Sequence, residues 1–448
     1  MLHFNTVEKE KNMLLHYLKF SLWYLKKKNM SGIVEIKKIN NFNLMMRNKI
    51  LENLEYSSNI FIYITVYHKN RKYSISLSNV TKYTIQQSID RAFLIIKHIE
   101  KDNDNDLPNK NLLFQGNEIL NLFFPWNFNI KKVKNLVLDV ENSALNYNKF
   151  LIQSEGSLFN SSIIIKILGN SYDWFKSQLF TENYLSSCMI ASNTKNMERH
   201  CEDFLSRDFK DLQNPTLLGL KSAHNSILKL GSQRIKTQIT PIIFSCEVSY
   251  NLFSYLAKAL SGYAVYKKNT FLYSLLNTQI FPNWLEILED PFYLKGLFST
   301  LFDQEGVKTK RRKIVKKGKI KTWLLDTYYG KKIFKNSTGH SGGIHNWFVN
   351  SRIPRLSFEN LLKKMFQGIL ITEVMGEGVN MMTGNYSQGA SGFWIEKGCI
   401  KYPIHGITIS GNLLNLWKNI INLSNDSKKY QKISCASILL SKIQVSGI

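Results

Sequence analysis

The sequence predicts an α+β protein: an N-terminal α/β layered domain of helices on mixed or antiparallel strands, then a β-rich C-terminal domain with glycine-rich loops. Three observations carry this. Amphipathic stretches at helical spacing and short β-branched runs share the first half. Apolar runs of strand length bounded by turn residues mark the second. Between Met375 and Trp394 stand five glycines, Gly376, Gly378, Gly384, Gly389 and Gly392, directly before Phe393-Trp394-Ile395. Such density beside aromatic anchors fits an ordered backbone that turns tightly or lies close to another chain, since glycine alone visits positive φ at little cost.

Residues 9–29 read as an amphipathic helix ending in Lys26-Lys27-Lys28, and Gly32–Lys37 and Ile60–Tyr67 as strands. His68–Arg71 supplies a turn into Lys72–Leu77, completing a hairpin. Thr84-Ile-Gln-Gln87 has capping-box spacing and opens a helix with the stripe Ile85, Ile89, Phe93, Ile96 and Ile99. The polar, acidic run 102–111 is a surface loop and an internal boundary. A helix over Ile130–Tyr147 precedes strands at Phe150–Glu155, Ser162–Leu168 and Leu185–Ala191. Thr216–Leu230 is a helix closed by Gly231, which places the domain boundary between 1–235 and 236–448. In the second domain Glu247–Leu260 is a strong helix with Gly262 as its stop, and Lys316-Lys-Gly318 joins a basic hairpin. Lys335–Trp347 is a second glycine-rich loop. Helix Phe358–Phe366 leads to the strand Gly368–Met375; the glycine loop, a strand, a turn at Lys397-Gly398 and a last strand follow.

The net charge of +26 would suit nucleic acid or a membrane surface. Only ten of the 59 basic residues are arginine, however, and the chain is rich in lysine, asparagine and isoleucine, all with A/T-rich codons. Base composition therefore explains the charge without an anionic partner, because nucleic-acid readers favour arginine for bidentate contacts. The five cysteines, Cys188, Cys201, Cys246, Cys399 and Cys435, are widely spaced with no CxxC pair. This argues against a disulfide framework or zinc ribbon and suits a reducing cytoplasm. No apolar stretch approaches the ~20 residues that cross a bilayer, so no membrane partner is expected.

No catalytic set stands out. HExxH is absent. His340 and His345, five apart in a glycine loop, could hold zinc with a third ligand, but loop histidines more often hydrogen-bond backbone. Ser391 lacks the G-x-S-x-G spacing. Cys246, at a predicted helix start where the dipole would lower its pKa, is a nucleophile on paper and more often structural. Gly376-x-Gly378 lacks the rest of a phosphate loop. Ordered glycine loops beside strands suit an extended peptide.

The order of longer strings is more informative. Phe302-Asp-Gln-Glu-Gly-Val307, Ser337-Thr-Gly-His-Ser-Gly-Gly-Ile-His-Asn-Trp347, the glycine stretch, Tyr402-Pro403, Ile407-Thr-Ile-Ser-Gly-Asn-Leu413 and Trp417–Ile420 follow in series. With Ile64–Lys72 and Leu185–Cys188, the chain resembles the TldD/PmbA metallopeptidase family, in its PmbA (TldE) branch. The resemblance implies a cytoplasmic bacterial subunit that pairs with a TldD-like catalytic subunit and forms a protease. Such complexes degrade or trim unfolded peptides, including peptide-antibiotic precursors and antitoxins. In the TldD branch an HExxxH helix and a later cysteine hold zinc, and the glutamate activates the bound water. Aligned by helix position, this chain offers Cys246-Glu-Val-Ser-Tyr-Asn251: Glu247 matches, while Cys246 and Asn251 stand where the histidines should be. The resemblance thus implies no metal in this chain, zinc in the partner, and Glu247 as a helix N-terminal residue.

The expected substrate or interface residues are Gly339, His340, Gly342, Gly343, His345, Gly376, Gly378, Gly384, Tyr386, Gly389 and Gly392. Two alternatives stand beside this reading. One is a homodimeric metallopeptidase with its own atypical site on His340 and His345. The other is a basic nucleic-acid-binding protein, a partner class the lysine bias disfavours.

Overall fold

The structure, a computed structural model, describes residues 4–126, 129–193 and 196–448. Helix α1 (Phe4–Lys27) carries Lys26 and Lys27 in its last turn, where the helix dipole favours cations. It leads into β1 (Ser31–Arg47), β2 (Ile50–His68) and β3 (Arg71–Leu77). After α2 (Lys82–Ile95) and α3 (Ile130–Leu145) come β4 (Leu151–Asn170), β5 (Phe175–Ser192), β6 (Met197–Ser206) and α4 (Pro215–Leu228). The six strands form one antiparallel sheet in the order β3-β2-β1-β4-β5-β6.

Several local expectations shift. The strands are longer than the apolar runs suggested, because residues 151–155 and 162–168 belong to one strand, β4, paired with β5 along its length and with β1 over Ser157–Asn170. The cap of α2 is Thr81, with Thr84 as its third helical residue, so the capping box begins three residues before the expected one. The tight turn of the β1–β2 hairpin is Asn48-Lys49, at φ 50° and 65°, and that of β2–β3 is Lys69-Asn70, at φ 48° and 62°. Both match the twist that two-residue hairpins need.

Alternation along β1 sets the layers. Val34, Ile36, Phe42, Leu44 and Met46 are buried on one face. The first two pack with Leu14 and Leu18 of α1 and Ile85 and Ile89 of α2, while the other three meet Val133 and Val137 of α3 and Leu218 of α4. Across the sheet, Ile33, Tyr67, Leu168 and Trp174 pack against Leu301 and Phe302 of the second half. Trp174 and Phe302 meet edge to face at 5.3 Å. The acidic loop 102–111 clamps the same seam: Asp102 accepts from Tyr328 Oη at 2.6 Å and Lys332 Nζ at 2.7 Å.

The second half begins with β7 (Gln238–Phe244), α5 (Tyr250–Ala259), α6 (Gly262–Tyr266), β8 (Leu285–Glu289), β9 (Arg312–Lys316), β10 (Lys319–Ile320) and α7 (Thr327–Lys332). It continues with β11 (Trp347–Ser351), α8 (Phe358–Met365), β12 (Gly368–Met375), β13 (Asn385–Glu396) and β14 (Cys399–Asn412). It ends with α9 (Leu413–Lys418), β15 (Ile420–Leu423), β16 (Ile433–Ser434) and β17 (Ile438–Ser446). One sheet runs β14-β13-β12-β7-β17-β15, and a further β14–β17 pairing closes it into a barrel-like ring. The other runs β10-β9-β8-β11-β16. The core holds Phe244, Phe253, Phe281, Trp347 and Trp417, each burial favourable by roughly 2 kcal/mol. Among the described residues no helix is long and apolar enough to cross a membrane.

Three expectations are corrected. Half of the glycine stretch is strand: Tyr386, Gly389 and Gly392 lie in β13. A Cβ on Gly392 would lie 1.9 Å from the Leu370 carbonyl oxygen, so strand packing there excludes any side chain. Gly262 opens α6 rather than stopping α5. Finally, Cys188 and Cys201 are disulfide-bonded, being direct partners across β5 and β6. Antiparallel pairing brings together cysteines whose spacing showed nothing.

Candidate functional site

A cleft of about 900 Å³ opens between the two halves, with β6 on one side and the start of α5, the end of β12 and residues 428–433 on the other. Glu247 and Asn251 line it. The backbone of α5 begins at Tyr250 with Ser249 as N-cap, so Cys246 and Glu247 sit in the preceding turn rather than in the helix. Glu247 is therefore held by a side chain and not by the helix dipole: Lys428 Nζ lies 3.1 Å from its Oε1. Burial works against the charge on Glu247, but the Lys428 ammonium and the hydrogen bonds around the carboxylate prevail and hold its pKa at about 2. Cys246 Sγ donates to the same oxygen at 3.2 Å. Burial, then the neighbouring carboxylates, push its thiol well up, the reverse of the lowering expected at a helix start.

The polar chain continues across the cleft. Lys428 Nζ is 4.0 Å from Glu202 Oε2 on β6, and Glu202 Oε1 faces His200 Nε2 at 3.0 Å and accepts from Asn225 Nδ2 at 2.9 Å. Two carboxylates from opposite halves thus share one lysine. Nearby, Lys229 pairs with Glu373 of β12, which also accepts from Ser391 Oγ at 3.1 Å.

The 339–346 loop holds a second cluster, fully buried. His340 Nε2 is 3.0 Å from Glu289 Oε2, His345 Nε2 is 2.9 Å from the Gly339 carbonyl oxygen, and Trp347 Nε1 donates to Glu289 Oε1 at 3.0 Å. Glu289, His340 and His345 bring their ligand-type atoms within 4.8 Å of one another. A carboxylate and a carbonyl only accept, so both Nε2 atoms carry hydrogens and offer a metal no lone pair. His340 Nδ1 is engaged as well, 2.8 Å from Thr338 Oγ1. Burial opposes the charge of Glu289, but the hydrogen bonds and charge interactions of His340 and His345 together outweigh it and lower the pKa to about 2, while burial keeps His345 low. The cluster reads as a brace for the loop, and Gly342 within it turns at φ +95°.

Of the expected site residues, Gly342 and Gly343 line one flank of the cleft system, and His340 and Gly343 meet Met381 of the 376–384 segment in a neighbouring cavity. Tyr386 is buried against Tyr255. Gly378, Gly389 and Gly392 face strand neighbours rather than the cleft: Cβ atoms there would meet Ser387, Met375 and Leu370. Gly376 has nothing within 4 Å of such an atom, and its carbonyl accepts from Gln388 Nε2 at 2.9 Å. Gly384, at φ +77°, packs against Phe271.

A protein of Buchnera aphidicola from Acyrthosiphon pisum, named a metalloprotease PmbA homolog, is 45% identical over 98% of both chains. The chain belongs to the PmbA/TldD metallopeptidase family. The metalloprotease PmbA of Escherichia coli O157:H7 is 38% identical, again over 98% of each chain. The family model described as the PmbA/TldA metallopeptidase C-terminal domain matches residues 237–447. The crystal structure of TldE from Thermococcus kodakarensis superposes with a TM-score of 0.81 at 18% identity, covering 96% of this chain and all of that one, which establishes a shared fold. The resemblance read from the strings is thus a family membership, and whole-length similarity to proteins named PmbA agrees with the branch.

The family's zinc does not fit the residues at the α5 position. Cys246 keeps its proton and spends it on Glu247, Asn251 offers only an amide, and an ammonium already occupies the carboxylate. Zinc would have to displace Lys428 and would find no imidazole at either ligand position.

Sequence reading missed Lys428, Glu202, His200 and Glu289. In a chain this rich in lysine, Lys428 carries no signal of its own. Glu289 had one: it ends an alternating strand, Leu285–Glu289, on the buried register.

Proposed function

We propose that this chain is the non-catalytic subunit of a TldD/TldE-type zinc peptidase acting on unfolded peptides in the cytoplasm. It completes the substrate chamber, while the TldD-like partner carries the zinc. The observation that carries this is the Glu247–Lys428 pair. The residue aligned with the family's general base is a carboxylate of very low basicity, tied to an ammonium where the metal's charge would be. The first half of β2, which extends beyond its pairing with β3, supports a partner surface, since Ile50 and Tyr56 are 71% and 59% exposed there.

The test is to purify the chain alone, the TldD-like partner alone and the co-expressed pair. Zinc content and hydrolysis of an unfolded peptide are then measured with and without chelator. Hydrolysis confined to the pair, abolished by chelator, with zinc following the partner, is the expected result. Stoichiometric zinc in this chain alone would favour the reading of an independent site instead, for which the convergence of Glu289, His340 and His345 is the supporting observation.

A further inference from the structure

The 900 Å³ cleft has two neighbours, of about 340 and 500 Å³, and all three share Ile344 and Lys432 in their walls. The glycine loop crosses where they meet. Lys432 directly precedes β16, and its backbone is fixed there because its carbonyl accepts from Trp347 N–H at 2.9 Å. Its side chain reaches the junction, where Nζ lies 5.4 Å from the centre of the Phe298 ring. Phe298 is itself anchored, its N–H donating to Asn346 Oδ1 at 3.2 Å. On the facing side is Gly343, where even an added Cβ would stand 3.7 Å from Nζ.

Among the described residues no carboxylate comes within 4.0 Å of that ammonium, and no hydrogen bond from it is found. The contrast with Lys428, four positions earlier in the same cleft wall, is sharp, since that lysine serves Glu247 and Glu202. The acid nearest in effect, Glu289, is turned to His340, His345 and Trp347. Burial lowers the pKa of Lys432, opposed by the charge of Glu289. On an open surface an unpaired lysine costs nothing, but at a half-buried junction it forgoes both solvation and a counter-ion. A ring face compensates for part of that loss. A ligand carboxylate would supply the rest, through a charge-assisted hydrogen bond in a partly dry setting.

We propose that Lys432 is a carboxylate-docking group, its ammonium receiving a carboxylate of an extended peptide that lies along the junction past Ile344. This rests on reading the cleft as a peptide chamber, and it adds a preference for anionic peptides. The carboxylate comes from the peptide's C-terminus or from an acidic side chain, and the ligand set below separates the two.

The probes are three fluorescein-labelled unfolded peptides of one otherwise uncharged sequence: one with a free C-terminal carboxylate, one with a C-terminal amide, and one amidated with a single internal glutamate. Binding to the full-length chain is followed by anisotropy at low and high salt. The free-acid or the glutamate peptide should bind about tenfold more tightly than the neutral amide, with the advantage shrinking in salt. K432M should remove that advantage and K432R preserve it, which separates charge recognition from a folding defect. Equal binding of all three peptides by the natural chain, binding of none, or an advantage that survives K432M would each overturn the proposal. The same preparations are scored for stimulation of the TldD-like partner on the neutral amide. Stimulation without carboxylate preference defeats this inference alone, whereas preference without stimulation defeats the subunit reading alone.

Discussion

Lys428 Nζ lies 3.1 Å from Glu247 Oε1 and 4.0 Å from Glu202 Oε2, so one ammonium bridges the start of the α5 region and the edge strand β6. The bond spans the two halves of the molecule across the open cleft. It ties the Glu247 carboxylate into a structural ion pair.

That pair sets a pH signature. The carboxyl of Glu247 is lowered to about 2 from its ordinary 4.5. The stability it contributes is therefore complete above about 4.5 and is lost as pH falls through about 2. In K428M the lysine's share of that lowering is gone, leaving hydrogen bonds such as that from Cys246 to oppose burial, so the pair's own contribution is absent at every pH. The Tm gap between the natural chain and K428M, wide near neutrality, should close between about pH 4.5 and 2. A gap constant down to that range would show the pair to be energetically silent.

Glu289 braces the 339–346 loop through His340, His345 and Trp347 while fully buried. Glu289→Gln removes the charge facing His340 and leaves an amide N–H₂ among donors. The expected loss is about 3 kcal/mol in urea unfolding, the range for breaking a buried charged pair. Equimolar zinc should not raise the Tm of the natural chain. A loss below about 1 kcal/mol, or a clear rise with zinc, would contradict the brace.

The glycines of β13 separate packing from ligand approach. Gly392→Ala places a methyl 1.9 Å from the Leu370 carbonyl oxygen, whereas Gly389→Ala finds its nearest neighbour, Met375, at 3.7 Å. The first should cost about 2 kcal/mol or more and the second under about 1 kcal/mol, read from denaturant midpoints. Similar costs at both sites would mean that the Leu370 carbonyl does not set the requirement at 392.

Cys188 and Cys201 are bonded, and Cys246, Cys399 and Cys435 are free. Thiol titration of the denatured, unreduced protein should therefore find three thiols per chain. Cys201→Ser should cost about 3 kcal/mol relative to the oxidised protein, as closure of a short loop implies. Five thiols and an unchanged midpoint would dismiss the bridge.

Local chemistry made much of the fold legible. Periodicity located α1, α2 and α3, and turn residues such as Lys397-Gly398 marked hairpins whose positive φ values the backbone bears out. Strand lengths were less legible. Asn40, Asn41 and Asn43 in β1 look like loop residues until cross-strand pairing with Ser58, Ser57 and Glu55 supplies their ladder. The site was legible in part: Glu247, Asn251, His340, Gly342 and Gly343 stood out in the sequence and line the cleft or its neighbours, whereas Lys428, Glu202 and Lys432 did not.

The sequence by itself determined the α+β class, the family, and the absence of two imidazoles at the α5 position, because those depend on residue identity and near neighbours. Tertiary structure alone decided which charges meet: that Lys428 serves Glu247 while Lys432 meets no carboxylate among the described residues, that His340 turns to Glu289, and that Cys188 faces Cys201. The reason is that Coulomb energy and hydrogen bonding depend on distance and burial in space, and the residues that meet lie from 13 positions apart, for Cys188 and Cys201, to 181, for Glu247 and Lys428.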